Sequence, residues 1–545
     1  MASKKVTVTF TPGPRCIEIP PGLTILEAAR LAGLNLAAPC GGAGRCGKCL
    51  VKITSVQEEH SPQWVLACQT TVRNSMNVEL PASSLLILEK GQMRPVALEP
   101  AVFMDHGVVK HRAGIPMENS VAGEPLLGLA VDLGTTTLVG YLYDLTSGQP
   151  LAVASRENGQ LSYGADVISR LAYALQGGVY YRELRQALAA SLDQLVLDCC
   201  RLAGVHPCSI REIVTVGNTP MIHLLVNLPV QGLAAAPFQP AAKGPFYRNA
   251  SELGLTSVAG AVCYLPPLIG GFVGSDALAA ALAQGFGLPA AGTELLVDIG
   301  TNGEILLQAG DQLLAASAPA GPALEGGNIQ CGMPAATGAI SKVTMDYDVH
   351  PVVIGDGQPV GICGSGLVDA VAEMLRLHLI DSSGRLVNPS ELPPVISFKI
   401  KQKLRQNAQN NRFTLSGDIY LDQRDIRQVQ LAKAAVAAGI KVVLAEAGLG
   451  ADALDALWLA GGFGNYLNPA NALRIGLLGE VDCSKIHQVG NAAGSGAVMM
   501  LLSFAARGRA EALSGRFKHL ELASDERYQE IFIRQLNFPD KEYGV

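Results

Sequence analysis

The sequence predicts a multidomain α/β protein, and three observations support this fold class. The chain has 545 residues, enough for about three or four domains of roughly 150 residues each. Residues 6–10 alternate apolar and polar side chains, as half-buried strands do. Apolar strand patterns that end in Asp-x-Gly-Thr occur twice, at Asp132 and at Asp298, about 166 residues apart.

The composition predicts a soluble, cytoplasmic protein without a nucleic-acid or membrane partner. Hydrophobic residues make up 49% of the chain and charged residues 16%, so a sizeable core can form. The formal net charge is −6 and no long Lys/Arg run occurs, which argues against nucleic acid or an anionic membrane as the main partner. The N-terminus leads directly into a strand pattern rather than an apolar signal segment. The uncharged stretches 213–242 and 490–506 suit buried elements better than membrane spans.

The N-terminal segment predicts a hairpin followed by a capped helix. Two alternating runs, 6–10 and 16–19, flank a turn rich in proline and glycine. Thr24 is followed three residues later by Glu27, which is the pattern of a capping box at the start of a helix. A further strand is predicted at 50–53.

Four cysteines near this helix have spacings that suit an iron–sulfur cluster. Five residues separate Cys40 from Cys46, two separate Cys46 from Cys49, and Cys68 follows in Leu-Ala-Cys-Gln. The plant-type [2Fe–2S] spacing differs from this by one residue. Glycines in the loop would let backbone N–H groups approach the cluster sulfides. A four-cysteine zinc site is the alternative, although only one C-x2-C pair is present. The remaining eight cysteines are expected to be reduced thiols.

Two strand–turn–strand patterns predict a phosphate site. Residues 128–133 and 138–143 are apolar strand patterns that flank a Gly/Thr turn. Such a hairpin presents backbone N–H groups and hydroxyls to phosphate, and Asp132 is placed to hold a metal ion or its water shell. The pattern recurs at 295–307, around Asp298. One copy would suit an ordinary hairpin, but two copies suggest a duplicated fold whose halves hold one nucleotide.

Two further glycine-rich turns are candidates for ligand contacts. Residues 457–464 form an apolar strand pattern that ends in Gly-Gly-Phe-Gly, where the backbone could lie against a flat adenosine. Alone, this segment would be a tight turn. Residues 361–369 form a turn that leads into a predicted helix ending near 379, and this turn suits either a phosphate at the helix N-terminus or a tight connection.

These motifs resemble those of two known families. The order of hairpin, helix, cysteine loop and strand over residues 1–82 resembles [2Fe–2S] ferredoxins, which implies a β-grasp domain. The rest resembles the actin, sugar kinase and heat-shock chaperone ATPases, which implies a duplicated ribonuclease H-like core of two lobes. Segments 274–283 and 491–497, rich in small residues, match the two helices that cross between the lobes in those proteins.

The two resemblances imply a role for each candidate site residue. Acidic side chains would hold Mg²⁺ and orient water, hydroxyl, amide and glycine positions would grip phosphate, glycines would face adenosine, and cysteines would hold the cluster. The acidic residues are Asp132, Asp298 and Asp276; the phosphate contacts are Thr135, Thr136, Gly300, Thr301 and Asn302; the adenosine contacts are Gly461, Gly462 and Gly464; the cluster ligands are Cys40, Cys46, Cys49 and Cys68.

The two modules together resemble the reductive activators of corrinoid proteins, along essentially the whole chain. This resemblance implies a ferredoxin-like domain at 1–82, a linker at 83–125 that lets it move, and ATPase lobes at 126–291 and 292–545. It implies ATP-dependent transfer of one electron to a corrinoid Co(II), which restores Co(I) for methyl transfer. The cofactors would be a [2Fe–2S] cluster, ATP and Mg²⁺. The partners would be a corrinoid protein of a methyltransferase system and a low-potential electron donor, and a homodimer is compatible with it.

Two alternatives stay open at this stage. The chain could activate another low-potential enzyme such as a dehydratase, with Cys331 and Cys363 of the core involved. It could also be a non-enzymatic electron carrier on an ATPase-like scaffold, although acidic residues are intact at both phosphate motifs. A small-molecule kinase would not need the cysteine cluster.

Overall fold

The structure is a computed structural model in which two of the four cluster cysteines, Cys40 and Cys46, lie outside the described residues. The structure describes residues 5–11, 15–32, 34, 36, 38, 42, 44, 49–55, 63–80, 94–117, 125–288, 292–355, 357–407, 410–464 and 466–540.

The N-terminal domain is a mixed sheet packed against one helix. Its elements are β1 (Val6–Thr11), β2 (Arg15–Ile19), α1 (Ile25–Leu31), β3 (Leu50–Ser55), β4 (Gln63–Leu66) and β5 (Met76–Glu79). The strand order is β2-β1-β5-β3-β4, with β1 and β5 parallel, as a β-grasp fold requires. Thr24 caps α1, and both hydrogen bonds of the capping box with Glu27 are present. The predicted hairpin, capped helix and strand are therefore confirmed.

Part of the predicted linker packs on the ATPase core. A short hairpin consists of β6 (Val102–Asp105) and β7 (Val108–His111). Val102 and Val109 are buried in the core of the first lobe, and the Glu99 N–H donates to the Leu502 carbonyl at 2.8 Å. This hairpin is therefore fixed to the ATPase core, so the freedom predicted for residues 83–125 does not extend to it.

The first lobe is built on a six-stranded sheet. Its strands lie in the order β10-β9-β8-β11-β13-β12, in which β8, β9 and β10 are antiparallel and β11 and β13 are parallel to β8 and to each other. The elements are β8 (Leu127–Leu133), β9 (Thr137–Asp144), β10 (Pro150–Glu157), α2 (Val167–Ala174), α3 (Gly178–Ala203), β11 (Ile210–Gly217), α4 (Thr219–Leu225), β12 (Phe246–Asn249), β13 (Val262–Leu265) and α5 (Ser275–Gln284).

The second lobe repeats the same strand pattern and adds two small sheets. Its main sheet has the order β24-β23-β14-β15-β16-β25, with an antiparallel β14-β15-β16 meander and parallel β23 and β24. The elements are β14 (Glu294–Ile299), β15 (Gly303–Ala309), β16 (Gln312–Ala318), β17 (Ala339–Met345), β18 (Val349–Val353), β19 (Gly361–Ile362), α6 (Gly364–Arg376), α7 (Phe398–Lys403), β20 (Leu404–Asn407), β21 (Asn410–Ser416), β22 (Ile419–Asp422), α8 (Gln423–Glu446), β23 (Ala456–Ala460), α9 (Gly461–Gly464), α10 (Pro469–Arg474), β24 (Ile486–Gly490), α11 (Ala492–Leu502), α12 (Phe504–Ser514), β25 (Lys518–Leu520) and α13 (Glu526–Arg534).

Two helices join the lobes through a close crossing. α5 and α11 pack directly on each other, and a Cβ placed on Gly496 would lie 2.0 Å from the Ala279 carbonyl oxygen. Only glycine permits this approach, which explains the small residues of both segments. α11 also packs on β8 and β11 of the first sheet, although it follows the second sheet in the chain. The predicted lobe boundaries stay predictions, and by packing α11 belongs with the first sheet.

Helix α8 passes a length and hydropathy test for a membrane span but lies in the protein core. It is the one such helix in the described ranges, and 78% of its apolar window is buried inside the protein. It packs against β15, β16 and α13, as a core helix does.

Candidate functional site

The two predicted phosphate turns face each other across a cleft between the lobes. The β8–β9 turn and the β14–β15 turn lie at corresponding ends of the two main sheets, in which five strands follow the same order. The cleft has a volume of about 320 Å³, which falls in the range of small-molecule sites. It is lined by every predicted residue of the ATPase core except Gly464: Asp132, Thr135, Thr136, Asp276, Asp298, Gly300, Thr301, Asn302, Gly461 and Gly462.

Carboxylates crowd the cleft. Burial raises the pKa of Asp132 to about 6 and those of Asp276 and Asp298 to about 7, and repulsion from neighbouring carboxylates adds to the last two shifts. Burial and the same repulsion hold the pKa of Glu304 well above its usual value, and burial also raises that of Glu325. No Lys or Arg side chain is present among the described lining residues. A cation must therefore enter with a nucleotide to offset both the carboxylates and the phosphates.

The acidic side chains suit a hydrated Mg²⁺ ion. In the described part of the chain, no three His, Cys, Asp or Glu side chains converge as a ready metal-ligand set. Mg²⁺ keeps several waters and is usually held by one or two carboxylates together with substrate phosphates. Asp132 accepts a hydrogen bond from Asn491 Nδ2 at 2.8 Å, and Asp276 accepts one from the Ala277 N–H at 2.8 Å, so both carboxylates are held in place.

Hydroxyl groups on both turns are already oriented by neighbours. Asn218 Nδ2 donates to Thr135 Oγ1 at 3.0 Å. Thr301 Oγ1 donates to Glu325 Oε2 at 2.7 Å, and Thr136 Oγ1 of the other lobe donates to the same oxygen at 3.5 Å. Glu325 therefore bridges the two turns across the cleft.

The glycine-rich turn after β23 closes one side of the cleft. Gly461 has φ +86°, and a Cβ placed there would lie 2.2 Å from Asp298 Oδ1, so this position requires glycine. Gly462 and Phe463 also line the cleft. Gly464 does not line the cleft and packs against Leu459, and its contact with adenosine stays a prediction.

The turn at 361–369 also reaches the cleft. Cys363, Gly364 and Ser365 line the cleft at the N-terminus of α6, a 13-residue helix. A Cβ on Gly364 would lie 1.7 Å from the Leu324 carbonyl oxygen, so the same turn also meets the demands of a tight connection. Both sequence interpretations of this turn are thus compatible with its position.

Sequence reasoning missed several lining residues: Asn218, Glu304, Glu325 and Asn491. Glu304 lies within the second phosphate motif, where its position marks it as a further acid. Asn218 and Asn491 cap α4 and α11 and stand just after apolar strands, a signal that marks strand ends facing a ligand. Glu325 has no sequence signal, because only the fold places it beside both turns.

Cys49 and Cys68, two of the four predicted cluster ligands, lie together. The Cys68 N–H donates to Cys49 Sγ at 3.4 Å, and Cys49 is buried. Gly42, which stands between Cys40 and Cys46 in the sequence, has φ +94°, and a Cβ placed on it would lie 3.9 Å from Cys68 Cβ, so Gly42 lies beside Cys68. This contact is compatible with Cys49 and Cys68 as ligands of one cluster, whereas the predicted ligands Cys40 and Cys46 lie outside the described residues.

Cys331 and Cys363, which supported the alternative activator, make contacts within the second lobe. Cys363 Sγ donates to the Ile340 carbonyl at 3.4 Å, and Cys331 Sγ donates to the Asp418 carbonyl at 3.9 Å. Neither contact indicates a cluster.

Comparisons with known proteins assign the family. The corrinoid activation enzyme RamQ of Eubacterium limosum is 32% identical over 96% of this chain and 98% of its own length. The chain belongs to the reductive activators of corrinoid proteins. A solved reductive activator for corrinoid, iron–sulfur protein matches 98% of both chains with a TM-score of 0.72 and 29% identity. The [Co(II) methylated amine-specific corrinoid protein] reductase of Methanosarcina barkeri is 25% identical over 76% of this chain and 77% of its own.

Family models divide this corrinoid activator into three matched parts. A 2Fe-2S iron–sulfur cluster binding domain matches residues 8–73, the RACo middle region matches 127–288, and the C-terminal ASKHA domain of RACo matches 292–544. The predicted family, the ferredoxin-like and actin-like fold, and the cofactors, a [2Fe–2S] cluster, ATP and Mg²⁺, are thereby confirmed. The individual site residues and domain boundaries stay predictions.

Proposed function

We propose that this protein uses ATP to pass one electron to a corrinoid protein, which returns Co(II) to the Co(I) state needed for methyl transfer. The observation that supports this most directly is one chain that joins a ferredoxin-type domain to an acidic, two-lobed nucleotide cleft. The partner would be the corrinoid protein of a methyltransferase system, and the electron would come from a low-potential donor. We place the reaction in the cytoplasm and allow for a homodimer.

The N-terminal domain would hold the electron carrier through Cys40, Cys46, Cys49 and Cys68. When bound there, a [2Fe–2S] cluster supplies one electron at a time. Reduction of Co(II) is uphill from an ordinary ferredoxin-type potential, and each mismatch of about 59 mV costs a factor of ten in the equilibrium constant of a one-electron step. ATP turnover in the same chain would offset that mismatch.

The cleft residues would bind and orient the nucleotide. Asp132, Asp276 and Asp298 would hold the water shell of Mg²⁺ and orient the attacking water, which is the positioning and charge neutralisation that phosphoryl transfer needs. Backbone N–H groups and hydroxyls of the two turns would grip the phosphates. Closure of the lobes on both turns at once would then change how the partner is held.

The test follows Co(I) formation directly. The protein with its cluster reduced is mixed with a Co(II) corrinoid protein, and the Co(I) absorbance is recorded with and without ATP. Asp298→Asn should abolish ATP turnover and ATP-dependent Co(I) formation while leaving the cluster absorption unchanged. Asp311→Asn, which removes an exposed carboxylate from a turn outside the cleft, is the matched control and should behave like the wild type. Absence of ATP-dependent Co(I) in the wild type would contradict the proposal.

A further inference from the structure

The ferredoxin-like domain contacts the first lobe through Arg30 of α1 and through Leu36. The Arg30 guanidinium donates to the Ser162 carbonyl and lies over the Tyr163 ring, 4.6 Å from the ring centroid. Ser162 Oγ in turn donates to the Leu36 carbonyl at 3.2 Å. In the sequence, Leu36 stands four residues before Cys40.

The lobe presents an aromatic recess to Arg30. Tyr163 and Tyr180 both contact the Tyr173 ring, each with its centroid 5.1 Å from that of Tyr173. Tyr173 Oη donates to Glu183 Oε2 at 2.6 Å, which adds a negative charge to the recess. The Arg30 guanidinium over the Tyr163 ring is a favourable cation–π arrangement. The recess therefore matches the side chain that enters it.

The far side of this recess is bonded to the first phosphate turn. We call residues 158–164 the bridge segment. The Asn158 N–H donates to the Thr136 carbonyl at 2.8 Å, and Asn158 Nδ2 donates to the Gly134 carbonyl at 3.0 Å. Arg170 Nη2 donates to the Thr135 carbonyl at 2.6 Å. All three backbone carbonyls of the turn thus bond to the bridge segment or to Arg170.

The bridge segment is rigid enough to transmit a displacement. Arg170 also donates to the Gly164 carbonyl at 3.0 Å and to Gln160 Oε1 at 3.2 Å, so one guanidinium holds the phosphate turn and the bridge segment together. Gln160 Nε2 donates to the Leu184 carbonyl of α3 at 3.0 Å. Asn158, Gln160 and Arg170 are fully buried, and a packed interior transmits strain rather than absorbing it.

We propose that the bridge segment and Arg170 couple the nucleotide cleft to the docking of the chain's own ferredoxin-like domain, so that nucleotide binding tightens the docked state. The proposal rests on the proposed function only in requiring that the cleft binds a nucleotide. Arg170 and Asn158 are positioning residues in this scheme, because they act through the phosphate turn and through Tyr163.

The direction of the coupling follows from charge. Burial of Arg170 disfavours its positive charge, which Asp166 and Glu325 partly offset. Nucleotide phosphates at the turn bring further negative charge close to this guanidinium. They therefore strengthen the hydrogen bond from this guanidinium to the Thr135 carbonyl. That bond in turn helps to fix the position of the bridge segment, which includes Tyr163.

The test measures docking by hydrogen–deuterium exchange in the full chain with its cluster. Peptides that cover 25–32 and 159–173 are followed with and without Mg²⁺ and a non-hydrolysable ATP analogue. In the wild type, nucleotide should slow exchange in both peptides. In Arg30→Ala the slowing should persist in 159–173 but vanish in 25–32. Arg73→Ala, which removes an exposed arginine of the same domain, is the control and should match the wild type.

Linkage supplies a second measurement. If nucleotide tightens docking, docking must tighten nucleotide binding by the same factor, so Arg30→Ala should weaken binding of the analogue by about fivefold. Unchanged affinity together with unchanged protection of 25–32 in Arg30→Ala would overturn the coupling. A wild type that binds no nucleotide would instead contradict the proposed function, so the two failures are distinguishable.

Discussion

Replacing Asp298 with Asn should stabilise the metal-free protein at alkaline pH while it abolishes ATP turnover. Burial raises the pKa of Asp298 from its ordinary value of 3.8 to about 7. The folded state thus binds this proton more tightly than the unfolded state does. The associated stability is fully present below about pH 4 and is lost as the pH rises through 7. At about 1.4 kcal/mol per pKa unit, ionisation at pH 8 costs at most about 4 kcal/mol. Because the side chain is only half-buried, solvent screens part of this charge. We therefore expect Asp298→Asn to raise the free energy of unfolding at pH 8 by about 2–3 kcal/mol.

The assay is urea unfolding in EDTA at pH 5 and at pH 8, followed by tryptophan fluorescence in a Trp64→Phe background, which leaves Trp458 as the one tryptophan of the chain. This residue lies in β23 beside β14, which carries Asp298, and its indole donates to Glu294 at 2.9 Å. The free energy of unfolding of Asp298→Asn should exceed that of the wild type at pH 8, and the difference should be much smaller at pH 5. Asp311→Asn should show no such dependence. A variant that is no more stable than the wild type at pH 8 would refute the argument that the buried charge is unfavourable without metal.

Mg²⁺ should reverse the order of stability of the wild type and Asp298→Asn at pH 8. A divalent cation stabilises the carboxylates that burial disfavours, so added Mg²⁺ and nucleotide should stabilise the wild type, and more at pH 8 than at pH 5. Mg²⁺ and nucleotide should raise the free energy of unfolding of Asp298→Asn by less, because this variant lacks one of the charges that the ion offsets. If both proteins are stabilised equally, the ion binds away from Asp298.

Three further predictions test other parts of the chain. Gly461→Ala should weaken ATP binding at least tenfold in a calorimetric titration, because the residue has φ +86° and the new methyl group would meet a carboxylate of the cleft. Gly508→Ala is the control: this residue lies on a helix with open space around it, so the substitution should raise the free energy of unfolding by up to about 1 kcal/mol. Cys68→Ser should remove the [2Fe–2S] absorption, while Cys16→Ser, at an exposed strand position, should retain it. Glu212→Gln should cost about 3–5 kcal/mol in unfolding experiments, because it leaves a buried guanidinium and imidazole without their carboxylate.

Features that repeat or that act locally could be predicted from the sequence. The capping box at Thr24, the β8–β9 hairpin and its second copy are all set by residues close together in the chain. Duplication extends such local signals to a long-range contact. The repeated motif predicts a duplicated fold whose halves hold one nucleotide, and the structure brings Asp132 and Asp298 into one cleft.

Contacts between residues far apart in the chain could not be predicted from the sequence. Asn491 and Asp132 are 359 residues apart in the chain, and Thr136 and Glu325 are 189 apart. No local pattern records such pairs, because each residue also has an ordinary explanation, an N-cap for Asn491 and a short 3₁₀ turn for Glu325. Gly464 shows the opposite case. Its motif predicts a contact with adenosine, whereas in the structure it packs against Leu459 and does not line the cleft.

The charge of the cleft argues for an ordered sequence of binding steps. Without a cation, burial raises the pKa of Asp132 and of Asp298, and repulsion from Asp132 raises that of Asp298 further, so holding both charges is unfavourable. Phosphate alone would add to that repulsion, because no described lining side chain is cationic. Mg²⁺ and nucleotide must therefore bind together. Behind the first phosphate turn lies Arg170, which bonds to the Thr135 carbonyl of that turn. Nucleotide charge thus acts on the same residue that holds the bridge segment, which gives binding in the cleft a direct physical route to the ferredoxin-like domain.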